Sequence, residues 1–163
     1  MSRVMALTVW QPWASLIVSG AKPFEFRRWE APLQLIGQRI AIHAAKRKMD
    51  PAEVRWMIHE VENRLVGEEV KDVGRLVSQA LRAEEALPIL LRARDQPGMI
   101  PHSAIIGTAI LGRPRRCKSL FGHPDTDPDM WAWPMQEARA LEPIVPRSGN
   151  QGFWIWNSGE AEL

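Results

Sequence analysis

Trp10-Gln11-Pro12-Trp13, running on to Gly20-Ala21-Lys22-Pro23-Phe24-Glu25-Phe26-Arg27, is the stretch on which the reading of the fold turns. Pro12 suits the first position of a helix, where its missing N–H costs nothing. Trp13, Leu16 and Ile17 come next at i, i+3 and i+4 and give that helix an apolar face. Gly20 fits a left-handed C-cap, so the helix is only about two turns long. Lys22 then sits on a constrained turn between Gly20 and Pro23. Residues 24–29 alternate as a strand does, and Glu25 and Arg27, two apart, leave the same face. Opposite charges placed this way make either a surface ion pair or part of a binding site.

On the N-terminal side, residues 4–10 form a short apolar run that reads as a buried strand. On the other side, residues 38–45 read as a strand with Ile40 and Ile42 on one face and Ala41, His43 and Ala45 on the other. Asp50-Pro51-Ala52-Glu53 is a helix start, with Asp as N-cap, Pro at N1 and Glu at N3 as in a capping box. Val54, Met57, Ile58, Val61 and Leu65 give that helix its apolar stripe, and it is expected to lie outside any site. A weaker helical stretch covers about 72–91, interrupted by Pro88. Strands are predicted at 104–111, 141–145 and 152–156, and a loop over 122–134 with one helical turn near 130–131. Five or six short strands with helices between them predict a small mixed barrel.

Residues 1–48 carry eight Lys or Arg against two acids, while the acids outnumber the bases from residue 49 onward. A polyanion or anionic ligand near the N-terminal third would explain the asymmetry, and so would an ordinary solvated surface. Eight Trp with no Tyr is a second bias. Indole serves a core and also stacks on bases, so most of the eight are expected in the core and two or three at a site. The single cysteine, Cys117, cannot close an intramolecular disulfide, and no Cys/His spacing fits a metal. The opening apolar run is too short for a secretion signal and no stretch is long enough to span a bilayer, which makes a cytoplasmic location the expectation. His102-Ser103 lacks both an acid partner and a nucleophile elbow, and no phosphate-binding glycine loop is present.

Four segments, in order along the chain, resemble the ASCH domain, a relative of the PUA RNA-binding fold. Gly20 to Arg27 matches its G-x-K-x-x-E-x-R signature. Ile42-His43-Ala44-Ala45-Lys46 is similar to the next strand, Ile105-Ile106-Gly107-Thr108-Ala109 to the central barrel strand, and Gly149-Asn150-Gln151-Gly152-Phe153-Trp154 to the closing strand. The resemblance implies an α+β fold: a PUA-like mixed β-barrel of five or six strands with flanking helices. The length and the absence of a linker predict one domain over residues 1–163, and the acidic helical region at about 50–91 reads as an insertion. The resemblance also implies a cleft beside the barrel where Lys22, Glu25 and Arg27 converge. Family members are associated with RNA binding; some hydrolyse an N-acylated cytidine, and ribonuclease activity has been attributed to others. The amidohydrolase branch carries Thr at the position of Glu25.

Three functions are consistent with these residues. The first is a binding module for RNA or a nucleoside-like ligand, using Trp13, Lys22, Arg27, His43 and Lys46. The second is a metal-independent hydrolase in the same cleft, with Lys22 and Glu25 as catalytic residues acting on an N-acylcytidine or on RNA. The third is a protein-interaction adaptor working through its acidic helices. A desolvated Lys22 would serve as a base, a charged one as a phosphate contact. His43 is equally read as a structural residue. No cofactor, metal or membrane partner is expected.

Overall fold

The computed structural model describes residues 3–68, 80–122 and 126–159. Its strands are β1 Arg3–Val9, β2 Phe24–Arg27, β3 Arg39–Ala44, β4 Ala104–Leu111, β5 Arg115–Arg116, β6 Trp131–Pro146 and β7 Phe153–Asn157. They form one seven-stranded sheet in the order β2-β6-β4-β3-β1-β7, with β5 joined to β6. Only β1 and β3 run parallel, so their C-terminal ends open side by side at one end of the sheet. Helix α1, Trp13–Val18, leaves from the end of β1. Helices α2, Pro51–Leu65, and α3, Ala83–Asp95, come after β3, and a short α4, Cys117–Phe121, comes after β5.

The sheet curls without closing. Strands β2 and β7 end the path and do not pair with each other, so the barrel expected from the sequence is an open, barrel-like curl. What crosses the opening is a side chain: Arg27 Nη2, on β2, donates to the Thr8 carbonyl on β1 at 3.1 Å.

Alternation along β1 and β3 sorts the side chains. Leu7, Val9, Ile40, Ile42 and Ala44 join Ile17 of α1 and Trp133 of β6 in the main core. Ala6 and Ala41 face the other way, against Trp154 and Trp156. Each buried Leu or Ile contributes roughly 1.5–3 kcal/mol, and this two-sided burial fixes the register of the central strands.

The helices differ from expectation in three ways. Pro12 stands at the N-cap of α1, not inside it, and its carbonyl accepts from Leu16 N–H at 3.0 Å. The buried Gln11 side chain supplies the capping acceptor, taking Ser15 N–H at 3.0 Å and donating to Pro101 O at 2.7 Å. Pro88 lies within α3, which continues to Asp95; the missing N–H is tolerated because Ala86, Leu90 and Ala93 are seated against α2 and α1 in a second core. The predicted stretch at 72–79 lies outside the described residues. Finally, the loop predicted over 122–134 ends early: β6 begins at Trp131, because Trp131 to Pro134 pair with all of β2.

Asp50 caps α2 as expected, its carboxylate accepting from Ala52 N–H at 2.9 Å. Among the described residues no helix is long and apolar enough to cross a membrane.

Candidate functional site

A cleft of about 730 Å³ opens where the C-terminal ends of β1 and β3 meet β2 and the loop before β7. That volume lies within the range of small-molecule sites, on the order of 300–1,000 Å³. All six residues singled out in the sequence, Trp13, Lys22, Glu25, Arg27, His43 and Lys46, line it.

The floor is a chain of charges. Gly20, at φ 81°, turns the chain out of α1, and Lys22 N–H donates back to Leu16 O at 2.9 Å, fixing the turn. This aims Lys22 inward, where it is 3% exposed. Its Nζ donates to Phe24 O at 2.7 Å and to Glu25 Oε2 at 2.8 Å. Glu25 Oε1 accepts from Arg27 Nε at 2.9 Å. One carboxylate thus joins two cations, leaving the floor with a single net positive charge. The Lys22 ammonium also lies 5.1 Å from the Phe26 ring and 5.7 Å from the Trp13 ring. Burial pushes the Lys22 pKa below its ordinary value; Glu25 pulls the other way by charge and hydrogen bond, and Arg27 adds to the lowering. Two of the three ammonium donors are engaged, which leaves one for a ligand.

One wall is the loop before β7, and His43 anchors it. The His43 Nε2 faces the Arg147 carbonyl at 2.8 Å, so that nitrogen carries a proton. Nδ1 lies 3.1 Å from the Thr8 hydroxyl, which also meets Asn150 O and takes the Trp154 indole N–H at 3.0 Å. Gly149 packs flat on this ring: a Cβ there would land on the imidazole. Burial favours the neutral ring and lowers the His43 pKa, against the opposing pull of the Arg147 carbonyl. Nε2 therefore ties the ring to the wall, while Nδ1 competes with Asn150 O for the one Thr8 hydroxyl proton.

The opposite rim is aromatic and basic. Trp10 is 55% exposed, with the Arg47 guanidinium 3.8 Å from its ring centre. Lys46 stands exposed beside it. Trp13 shares the cleft lining with Glu53, a residue that the sequence alone presents as a capping glutamate on a helix outside the site. The first turn of α2 in fact carries Glu53 into the cleft. Burial, then the nearby Asp50, raise the Glu53 pKa; Arg47 and the Trp13 N–H oppose them.

Trp10, Glu53, Ser103 and the 148–152 loop are cleft residues that sequence reasoning misses. Trp10 belongs to the same four-residue motif as Trp13, and exposure is what separates the two. Ser103, at φ 50°, has no signal in the sequence beyond its neighbour His102. His102 Nδ1 donates to Ala45 O at 3.0 Å, so that ring serves the backbone. The basic N-terminal third divides: Lys22, Arg27 and Lys46 line the cleft and Arg47 lies on Trp10 at its rim, whereas Arg28 pairs with Asp127 and Arg39 with Glu137.

A family model for the ASCH domain matches residues 7–111, the segment that contributes the floor, the His43 strand and the aromatic rim. No curated protein matches the chain.

Proposed function

The chain belongs to the ASCH family, which is PUA-like and generally RNA-binding, and from that premise we propose that its cleft is a binding site for RNA, seating one nucleotide over the Lys22–Glu25–Arg27 floor. The observation that carries this reading is the buried triad itself. Its net positive charge is held in place by backbone and ring contacts, and Lys22 keeps one donor for a phosphate or a base carbonyl. Lys46 and Arg47 add charge at the rim, where a backbone would pass. Trp10 supplies an exposed stacking face; one base on such a face is worth about 1–3 kcal/mol. Glu53 adds an acceptor suited to an exocyclic amine.

Binding rather than turnover is supported by how the reactive groups are engaged. A general base needs a free nitrogen or oxygen within reach of substrate. Lys22 donates to a carbonyl and a carboxylate, and the His43 ring is held at Nε2 by the Arg147 carbonyl and covered by Gly149.

One pair of observations favours a hydrolase as the second reading. Ser103 faces the cleft with left-handed backbone, and backbone strain of that kind gathers at functional sites. Glu53, whose pKa burial raises, lines the same cleft as the carboxyl group that such a step would use. Incubation of the protein with a short RNA and with an N-acylcytidine, in chelator, separates the two. The binding reading expects complex formation with both compounds recovered intact. Turnover that disappears in Glu53→Gln would replace it with the hydrolase.

A further inference from the structure

Beyond the cleft, the sheet carries a second run of Arg and Trp. Strand β6 is flanked by β2 on one side and β5 on the other, and the registers coincide: Arg27 and Arg116 both pair with Trp131. Residues paired in register leave the same face, so Arg27, Trp131 and Arg116 form one row across three strands. At roughly 4.8 Å per strand, the row extends about 10 Å from the cleft floor. The Arg116 guanidinium lies 4.1 Å from the Trp131 ring centre, and Arg27 lies 5.5 Å from that of Trp29, which is 54% exposed. With Arg47 on Trp10 at the cleft rim, the structure carries three such Arg–Trp pairs.

The outer end of that row is strongly cationic. Arg113, Arg115, Arg116 and Lys118 are all exposed, and none forms an ion pair with a described residue. Arg116 is steadied by a bond from Nη1 to Pro128 O at 3.1 Å. Of the nearby described acids, Asp127 is taken by Arg28 at 3.1 Å, and Asp129 is exposed. The segment lies beyond the 7–111 match to the family model, so it is an addition to what that model describes.

We propose that Arg113–Lys118 and Trp131 form a second contact strip for single-stranded RNA, continuous with the cleft, so that the ligand is a polynucleotide chain and not a free nucleoside. The inference rests on the cleft being an RNA site. A guanidinium laid on an indole presents a flat cation on which a base stacks, with N–H groups at its edge for phosphate. Charges on a solvated surface serve solubility wherever they stand; here Arg116 is set in register with Arg27, on a row that leads out of the cleft, and the exposed Arg113, Arg115 and Lys118 flank it.

The test compares uridine monophosphate with an oligouridylate of about eight nucleotides, a length within the usual single-strand site size. The variants are Arg115→Ala/Arg116→Ala, Trp10→Ala, and Arg55→Ala/Arg92→Ala as an equal charge change on the exposed helices, each checked for an unchanged melting temperature. In Arg115→Ala/Arg116→Ala, oligomer affinity should fall about tenfold and the salt slope should shrink by about 1.4, two phosphates at 0.7 each. Affinity for the mononucleotide should stay as in wild type, and Trp10→Ala should weaken both ligands. An unchanged oligomer affinity, or an equal loss in Arg55→Ala/Arg92→Ala, overturns the strip while leaving the cleft reading in place. Oligomer binding lost in Arg115→Ala/Arg116→Ala but untouched by Trp10→Ala overturns the cleft reading and the continuity with it. Polyglutamate competing as well as RNA for the strip also overturns the proposal.

Discussion

Replacing Glu25 by Gln isolates the buried charge triad as an energetic unit. The carboxylate accepts from Lys22 at 2.8 Å and from Arg27 at 2.9 Å, and all three groups are mostly shielded from water. Glutamine keeps one carbonyl acceptor but loses the charge. A charge-assisted hydrogen bond is worth about 1.5–3 kcal/mol, and stripping one partner from a buried pair costs about 3–5 kcal/mol. Arg27, with 18% side-chain exposure, can recover some hydration, whereas Lys22, at 3%, cannot. The cost therefore falls on Lys22, and a loss near the lower bound, about 3 kcal/mol, is expected. For a chain of this length that lowers the melting temperature by roughly 6–12 °C. Lys22→Met should cost less, because Glu25 keeps Arg27. Lys22→Met/Glu25→Gln should then be more stable than Glu25→Gln alone, since the uncompensated buried cation is gone. Urea denaturation and calorimetry on the four proteins measure the cycle. A Glu25→Gln variant within about 0.5 kcal/mol of wild type, or a double variant as unstable as the sum of the singles, would refute the reasoning.

Other consequences are open to measurement. The folded protein holds the His43 pKa below its ordinary 6.5, so as pH falls through about 6.5 the unfolded chain takes up a proton that the folded one does not. Stability should be full above that pH and decline below it, and His43→Gln should flatten the decline in denaturant midpoints measured from pH 8 to 5. Asp50→Ala removes the bond to Ala52 N–H and should cost about 1 kcal/mol, read as a melting temperature lower by roughly 2–4 °C. Trp10→Ala should lower affinity for short RNA by about tenfold at unchanged melting temperature, with Trp10→Phe retaining most of the binding, because the exposed indole serves as a stacking face.

Local signals carry much of this molecule. The turn after α1 is readable because Gly20 must adopt positive φ and Pro23 restricts the entry into β2, and together they aim Lys22 inward. The Asp50 cap is readable because its partner is two residues away. Glu53 shows the limit: the N3 position explains a glutamate there, and only the packing of α2 against α1 brings it under Trp13. Trp131 to Pro134 read as loop because prolines and aspartates surround them, yet pairing with distant β2 makes them strand. The open seam is illegible for a related reason. Closure depends on whether two edge strands reach each other, and here Arg27 fills the gap. The strip at Arg115–Arg116 is invisible in net charge, since acids later in the chain cancel it.

Indole N–H resonances give the most direct test of RNA seating in the cleft. Of the eight Trp, Trp10 and Trp13 stand in the cleft, whereas Trp156 is buried in the core away from it. Titration of the labelled protein with a short oligouridylate at low salt should shift the Trp10 and Trp13 signals progressively. That of Trp156 should stay in place, and the shifts should reverse as salt is raised. Saturable RNA binding that moves neither Trp10 nor Trp13, or the absence of any shift at low salt, would contradict RNA binding in this cleft.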